Sequence, residues 1–441
     1  MRISLGARHD FLRRYGIADR WRPQTLADLA RVVGGGTPSR GEDRFWRGGT
    51  IPWATPSDVT ANQAKLISKT AECITDAGLA SCAAVLLPRG SVLFTSRATI
   101  GAKAIAEVPV ATNQGFASFL PDSVDGEYLY YLLDLLTPII KRLGAGTTFD
   151  EVSKRELRTV WCAVPSDSFE QAAIARILDA VDTALEHTRS AVERARTVKY
   201  AILQQFFYDA LGETAYADRP QRQLPTGWAL VPMERLLREE PKNGVSPKAS
   251  SQPPGTPTFS IAAIRDGRVD LLNKDNLKYI RTSERIPQRF QIERGDVLIV
   301  RGNANPDLVG KAGMIGEFPA GCIYPDIAKR VVFATKPASK VSPEYGVLAW
   351  NHALVHNQVL RRAKTSQGTL KINNRDVKQI MMPVPPEKEQ AQLVQVIASI
   401  DAASDALVKV ALAQEQLKKS LMDDLLTGRV RVRNDAEVAA P

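Results

Sequence analysis

Apolar side chains recur at a helical spacing along two long stretches of this chain, residues 174–206 and 393–425. In each stretch the stripe positions are alternately four and three residues apart, which is typical of a coiled-coil helix. The first stripe comprises Ile174, Leu178, Val181, Leu185, Thr188, Val192, Ala195, Lys199, Ile202 and Phe206. The second comprises Leu393, Ile397, Ile400, Ser404, Leu407, Ala411, Gln414, Lys418, Leu421 and Leu425. The pattern predicts two long helices.

The two stretches are copies of each other at an offset of 219 residues, so the chain contains an internal repeat. Glu170-Gln171 corresponds to Glu389-Gln390, and the lysines that interrupt the stripes, Lys199 and Lys418, fall at matching positions. An apolar stripe has to be buried, and the duplicate offers a matching one. We therefore expect the two helices to pack against each other; the alternative is two amphipathic helices buried in unrelated cores.

Capping signals mark the ends of both predicted helices. Asp167 stands three residues before Glu170, and Pro386 precedes Glu387, as expected at helix starts. Gly212 and Gly428 are suited to the left-handed conformation at helix ends. About forty residues at 1.5 Å each make a helix roughly 60 Å long.

Short apolar runs bounded by proline and glycine predict a mixed unit with small strands before the first helix. The predicted strands are 51–55, 84–87, 91–95 and 102–106, and residues 127–143 predict a helix. The segment before the second helix repeats several of these features. Trp228, Met233 and Leu236 correspond to Trp21, Leu26 and Leu29, residues 294–298 to 89–93, and residues 368–369 to 146–147.

These patterns predict an α+β fold with two globular domains, related by a pseudo-twofold axis and joined by two long antiparallel coiled-coil helices. The predicted segments are an N-terminal segment 1–20, a first domain 21–165, a central long helix 166–212, a linker 213–226, a second domain 227–385, a C-terminal long helix 386–428 and a tail 429–441.

Composition adds a compartment and a charge distribution. Four cysteines without metal-ligand spacing, no membrane-length apolar run and no signal-peptide core predict a cytoplasmic protein that does not contact a membrane. The net charge is +10; the predicted helices 166–212 and 386–428 carry −2 and −3, so the remainder carries +15. A basic globular part is the feature expected of a protein that binds a polyanion.

Several enzyme signatures are missing from the sequence. No Asn/Asp-Pro-Pro-Tyr/Phe motif of an amino-group DNA methyltransferase occurs, and Gly310-Lys311 lacks the rest of a phosphate-binding loop. Residues 325–329 weakly resemble a nuclease motif but have no matching acidic partner. His352 and His356 lack a third ligand, so they predict a core or surface pair and not a metal site. Gly34–Gly36 predicts a flexible turn.

Polar and basic loops at glycine turns are the remaining candidates for function. They are 37–40, 53–58, 95–101, 111–115 and 145–149 in the first domain, and 299–306, 309–313 and 366–375 in the second. Arg, Asn and Gln make bidentate contacts with guanine and adenine, whereas Lys and backbone amides hold phosphates. The alternative for each residue is plain solvent surface. Trp46 and Trp53 are expected in the core.

The loop motifs resemble those of one known family. G-G-G-T-P-S-R, I-P-W-A-T-P-S-D, L-P-R-G-S-V-L-F-T-S-R-A-T-I-G, A-T-N-Q-G-F and G-T-T-F-D-E-V-S-K, followed by V-P and an E-Q helix, are similar to the specificity subunit of type I restriction–modification systems. The resemblance extends over nearly the whole chain. The second domain departs from the pattern, since Y-P-D-I-A-K-R at 324–330 stands where the first has A-T-N-Q-G-F.

The resemblance implies two target-recognition domains, each recognising half of a split double-stranded DNA site. It implies that the paired helices set the spacing and help to dock two methyltransferase subunits, with restriction/translocase subunits joining them. The chain itself would be non-catalytic and hold no cofactor or metal; S-adenosylmethionine, ATP and Mg would bind to the partners. The predicted DNA contacts are Arg40, Ser96, Arg97, Asn113, Gln114, Thr147, Thr148, Arg301, Asn303, Asn305, Lys311, Lys371, Asn374 and Arg375.

Three alternatives stay open at this point. The chain could serve in a methylation-only system, which would use the same surfaces. It could be a self-sufficient methyltransferase or nuclease, against which the missing motifs argue. It could be a coiled-coil scaffold that binds only protein, which predicts no salt-sensitive affinity for DNA.

Overall fold

The computed structural model describes residues 21–62, 64–144, 151–211, 224–245, 248–281, 286–334, 340–366 and 368–432. Its contacts divide the chain into two compact units. Unit 1 contains the described residues up to Ser190 together with those from Val408, and unit 2 is Ala191–Leu407. The division falls inside the two long helices, so each unit contains part of both.

Both predicted long helices are confirmed, as Ser168–Leu211 and Glu387–Leu425. Every residue of the two predicted stripes is buried or half-buried, as expected for a packed seam. Gly428 ends the second helix with φ +71°, and a Cβ there would lie 3.0 Å from the Trp21 ring. Gly212, predicted to end the first helix, lies outside the described residues.

The helices pair antiparallel in unit 1. The Lys418 ammonium lies 2.6 Å from the Asp182 carboxylate, and Arg189 lies 2.5 Å from Glu415. Higher numbers in the first helix therefore meet lower numbers in the second. The first of these pairs is about a quarter exposed, whereas the second is at the surface.

Unit 2 contains a pair with the same chemistry. Lys199 donates to both carboxylate oxygens of Asp401 at 2.7 and 2.9 Å. Further along the first helix, Phe207 shares an apolar cluster with Leu393 near the start of the second. The pairing is therefore antiparallel here as well. Lys199 and Lys418 correspond in the repeat, and so do their partners Asp401 and Asp182.

The part of unit 1 that the structure describes forms three small sheets. In the five-stranded sheet the strand order is Ala30–Gly34, Ala117–Pro121, Val92–Phe94, Lys103–Ala106 and Leu66–Ile67. In the three-stranded sheet the order is Glu72–Ile74, Ile51–Ala54 and Ala111–Thr112. The two-stranded sheet pairs Arg22–Thr25 with Trp161–Val164. Its other α-helices are Leu26–Leu29, Pro56–Ala61, Asp76–Ala80, Gly126–Gly144 and Lys154–Arg158, with a 3-10 turn at Asp43–Phe45. The helix predicted at 127–143 is thus confirmed.

The described residues of unit 2 form four sheets. The six-stranded sheet has the order Lys242–Asn243, Ala328–Val331, Val297–Val300, Ala312–Ile315, Gly267–Val269, Ile264–Arg265. One three-stranded sheet has the order Ala249–Ser250, Leu277–Ile280, Thr256–Phe259, and a second has the order Gly302–Asn303, Thr369–Lys371, Lys364–Ser366. A two-stranded sheet pairs Ala229–Pro232 with Met381–Val384. Its other α-helices are Met233–Leu236, Pro343–Asn351, Ala353–Arg362 and Asn374–Lys378, and 3-10 turns lie at Ile261–Ala263, Lys274–Asn276, Gln288–Phe290 and Pro306–Leu308.

A glutamine anchors the start of each long helix in the same way. The Gln171 amide donates to the Pro165 carbonyl at 2.8 Å and accepts from the Asp125 backbone N–H at 2.8 Å. Gln390 donates to the Pro385 carbonyl at 3.0 Å and accepts from Ser342 N–H at 3.3 Å. Both glutamines are buried. The repeated Glu-Gln pairs, Glu170-Gln171 and Glu389-Gln390, therefore mark the same kind of junction between a long helix and its domain.

One predicted strand is wrong. Residues 84–87 are irregular, and only Leu87 forms an isolated bridge, with Val110. Val85 and Leu86 are each more than 40% exposed, so the apolar run does not enter a sheet. The strands predicted at 51–55, 91–95 and 102–106 are confirmed as Ile51–Ala54, Val92–Phe94 and Lys103–Ala106. No helix among the described ranges is long and apolar enough to cross a membrane.

Candidate nucleic-acid interface

Arg40 is held by two interactions within unit 1. Its guanidinium donates to both oxygens of Glu72 at 2.5 and 2.8 Å, and this hydrogen bond lowers the pKa of Glu72. The guanidinium carbon lies 3.9 Å from the centre of the Trp46 ring. Trp53 is buried as predicted, and Trp46 packs edge-on against it at 5.1 Å. Arg40 would have to give up the Glu72 pair to contact a base.

Three predicted loops of unit 1 meet around Gln114. Its side-chain oxygen accepts from the Thr37 hydroxyl, which belongs to the loop 37–40. The buried Ser96 hydroxyl donates to the Gly115 carbonyl at 3.3 Å, so Ser96 supports the loops and is not presented at the surface. Asn113, half-buried, accepts from the Gly115 backbone N–H at 2.8 Å. Loops 37–40, 95–101 and 111–115 therefore form one polar surface.

Arg97 is an exposed cation of this surface. Its Nε lies 2.7 Å from Glu151, and the backbones of these two residues form a β-bridge. Both side chains are more than 40% exposed, and such a pair contributes less than about 1 kcal/mol. The guanidinium is therefore oriented but can exchange Glu151 for another acceptor at little cost. Thr147 and Thr148 lie outside the described residues.

The predicted asparagines of the 299–306 loop shape their own turn. Asn303 accepts from the Asn305 backbone N–H at 2.8 Å, and Asn305 accepts from Asp307 N–H at 3.0 Å. Asn305 is exposed and Asn303 half-buried. Lys311 is half-buried nearby in sequence, and Arg375 is exposed on the short helix Asn374–Lys378. These residues are spread over several elements of unit 2.

Three other predicted residues of unit 2, Arg301, Lys371 and Asn374, come together in one polar pocket of about 360 Å³. Its walls come from segments far apart in sequence. The lining residues are Asn243, Arg301, Lys329, Lys364, Lys371, Ile372, Asn373 and Asn374. Four of these carry a positive charge and none carries a negative one. We call this set the cationic pocket.

Lys329 is the buried cation of the cationic pocket, with 1% of the residue exposed. Its ammonium donates to the Asn243 side-chain oxygen at 2.7 Å and to that of Asn374 at 2.6 Å. Asn374 also donates to the Pro241 carbonyl at 2.7 Å, so both ends of its amide are used. Burial, with Arg301 as the second cause, lowers the pKa of Lys329 to about 8.

Lys329 and Lys364 were missed as candidates in the sequence. Lys329 belongs to the 325–329 segment that weakly resembles a nuclease motif, and it lies on the strand Ala328–Val331. The available signal is that Lys329 directly follows the apolar pair Ile327-Ala328, which suggests a buried position. Lysine is seldom buried without a partner, so a buried Lys329 would imply a polar site around it. Its partners Asn243 and Asn374 lie 86 and 45 residues away, and no local pattern links them.

His352 and His356 are confirmed as a core pair. Both are buried, and burial lowers the pKa of each to about 4. His352 accepts from the Leu354 backbone N–H at the start of the helix Ala353–Arg362. Within the described ranges, no three His, Cys, Asp or Glu side chains are grouped to hold a metal ion.

Comparisons with known proteins agree with one family. The family model described as "Type I restriction modification DNA specificity domain" matches residues 18–194. The MjaIX type I restriction enzyme specificity subunit of Methanocaldococcus jannaschii is 34% identical over 50% of this chain and 52% of that protein. The EcoKI specificity subunit of Escherichia coli is 26% identical over 68% of this chain and 64% of that protein. The chain thus spans about half the length of the first relative and just under two thirds of the second.

Two solved structures share the fold. A type I restriction–modification S subunit from M. genitalium has a TM-score of 0.56 at 16% identity, covering 93% of this chain and 96% of that one. A chain from a study of complex assembly and conformational transition of the type I R-M system has a TM-score of 0.52 at 18% identity, covering 94% and 99%. Residues 18–194 therefore match the family model of a type I restriction modification DNA specificity domain, and the chain is similar in sequence and in fold to specificity subunits of type I restriction–modification systems.

Proposed function

We propose that this chain is a non-catalytic DNA-recognition subunit. It recognises a bipartite site in double-stranded DNA and directs two adenine-N6 methyltransferase subunits, and restriction/translocase subunits where present, to that site. S-adenosylmethionine, ATP and Mg belong to those partners. The observation that carries the proposal is the repeated arrangement in units 1 and 2. Each unit joins a sheet-rich domain with polar loops to the long helices through the same glutamine-anchored junction.

Methylome sequencing tests the proposal directly. Cells that carry the gene should contain N6-methyladenine in one split motif, and deletion of the gene should remove that methylation completely. Restoring the gene should restore the same motif. If the motif stays methylated after deletion, the chain does not direct the methyltransferase, and a protein-binding scaffold becomes the better interpretation.

The long helices are expected to set the spacing between the half-sites. Inserting one heptad into each helix, between residues 190 and 191 and between 407 and 408, keeps the seam in phase on both sides. Seven residues add about 10 Å, which corresponds to about three base pairs at ~3.4 Å each. Methylome sequencing should find a longer gap between unchanged half-sites. A heptad inserted in only one helix is the control and should abolish methylation; an unchanged gap after the double insertion would rule out the ruler.

Arg97 is expected to contact a base. Arg97→Ala should relax sequence preference in one half-site only and cost about 1–3 kcal/mol of binding to the intact site. Glu151→Gln is the matched control, because it removes the ion-pair partner but leaves the guanidinium. Binding assays on duplexes with substituted half-sites provide the measurement. Equal weakening on every sequence would instead assign Arg97 to a phosphate.

A further inference from the structure

We propose that the cationic pocket of unit 2 is a phosphate seat that takes one backbone phosphate of the DNA strand and is built around the buried ammonium of Lys329. This inference rests on the proposed function, since it names a contact to the same DNA. The class of ligand is a phosphate group bound by charge and not by sequence. The argument depends on the chemistry of the walls, on the burial of Lys329 and on how the pocket is assembled.

The walls of the pocket offer donors with positive charge. Arg301, Lys329, Lys364 and Lys371 converge on a space of about 360 Å³, and the lining residues include no carboxylate. Lys364 and Lys371 are exposed at the rim, and Lys329 lies at the interior. Several cations around one concave space repel each other; the Asp326 carboxylate, 3.8 Å from Arg301 and outside the lining, offsets part of this repulsion, and an anion in that space relieves the rest. Phosphate oxygens are the acceptors that such a set of donors suits.

Base recognition is disfavoured at the interior of this pocket. An asparagine recognises adenine with both its oxygen and its amide N–H groups. The Asn374 oxygen accepts from Lys329, and its amide donates to the Pro241 carbonyl. The Asn243 oxygen also accepts from Lys329. The side-chain amides of Asn243 and Asn374 therefore hold the Lys329 ammonium, and they accept two of its three N–H hydrogen bonds.

The position of Lys329 is specified by two sheets and one helix. Lys329 lies opposite Asn243 in the register of the six-stranded sheet. Lys364 and Lys371 are register partners in the three-stranded sheet, where Lys371 also pairs with Gly302, next to Arg301. Asn374 begins the helix Asn374–Lys378. Keeping an ammonium out of water is unfavourable, and its lowered pKa reports that cost. A bound phosphate would hold the proton on Lys329.

The first arm of the test measures the binding of inorganic phosphate to the full-length chain. Saturable binding, followed by 31P NMR, is expected for the native sequence. Lys329→Met should weaken phosphate binding roughly tenfold or more, and so should the rim variant, which carries Lys364→Gln and Lys371→Gln together. The rim variant changes two exposed side chains and should fold normally even if Lys329→Met does not. Lys274→Gln, an exposed lysine of unit 2 outside the pocket, is the matched control and should change nothing. Absence of saturable phosphate binding would overturn the proposal.

The second arm measures DNA with the same variants in complex with methyltransferase subunits. The rim variant should weaken cognate and non-cognate duplexes equally and reduce the slope of log K against log salt by about one. Loss on the cognate duplex alone would assign the pocket to base recognition and overturn the proposal. An unchanged slope despite phosphate binding would assign it to a free anion, which also overturns it. If the native complex shows no sequence-specific DNA binding, the proposed function fails, while the phosphate arm still reports on the pocket by itself.

Discussion

Lys418→Met is expected to destabilise unit 1 by about 2–3 kcal/mol, and Lys199→Met should destabilise unit 2 by less, because Arg268 stays 3.3 Å from Asp401. Lys418 lies 2.6 Å from Asp182, whose second oxygen accepts from the Tyr131 hydroxyl at 2.9 Å. Removing the ammonium leaves the Asp182 carboxylate largely covered without its cation. The expected loss is below that of a fully buried pair because both side chains are about a quarter exposed. Native-state hydrogen exchange can measure the two units separately.

Arg189→Met is the matched control for this prediction. Arg189 joins Glu415 across the same two helices, but both side chains are more than 40% exposed, so the loss should stay below about 1 kcal/mol. A double-mutant cycle of Lys418→Met with Asp182→Asn should be less than additive, since each change removes the same interaction. Equal effects of Lys418→Met and Arg189→Met would show that the seam lysines contribute no more than surface charges.

Acidification from pH 7 to pH 4 is expected to destabilise unit 2 through its two buried histidines. Burial lowers the pKa of His352 and His356 to about 4, whereas an unfolded histidine has a pKa of about 6.5. The unfolded state therefore binds more protons in this window. The stability from neutral imidazoles is fully present above about pH 6.5 and is lost as pH falls through about 4. Each histidine contributes up to about 3 kcal/mol to this loss.

Two variants separate the histidines from the carboxylates that titrate in the same range. His356→Leu removes a ring whose two nitrogens have no hydrogen-bond partner among the described residues, so it should stabilise unit 2 and flatten its pH profile. His352→Asn keeps an N-cap for the helix Ala353–Arg362 but cannot titrate. His187→Gln, exposed on the first long helix, is the control. Denaturant unfolding at several pH values gives the profiles; a His356→Leu profile parallel to the native one would contradict the assignment.

The long helices and the direction of their pairing could be derived from the repeat. The stripe spacing predicts both helices, and the stripe residues are buried or half-buried as expected. Asp182 and Lys199 recur as Asp401 and Lys418 at the same separation. An antiparallel pairing that brings Lys418 to Asp182 therefore also brings Lys199 to Asp401. A parallel pairing of equivalent positions would place like charges together, which opposes it.

The strands and the candidate loops were less accessible to local patterns. The apolar run 84–87 resembles a strand in sequence, but Val85 and Leu86 are exposed and the run joins none of the sheets of the described residues. Arg40 and Arg97 were both predicted as DNA contacts from their loops. The structure distinguishes them, since the Arg40 guanidinium donates to both oxygens of Glu72 and lies over the Trp46 ring, whereas Arg97 pairs with the single carboxylate of Glu151. Such differences depend on residues tens of positions away.

The sequence by itself determined the duplicated organisation, the two long helices, their antiparallel pairing and the family resemblance. These follow from periodicity and repetition, which act between neighbours on a helix or between equivalent positions of the two copies. Only the tertiary structure decided that Lys329 is buried and that Asn243, Lys364 and Asn374 surround it. Strand order joins segments separated by many residues, and the burial of a charge depends on every wall around it. A local sequence pattern contains neither the strand order nor the full set of residues around a buried charge.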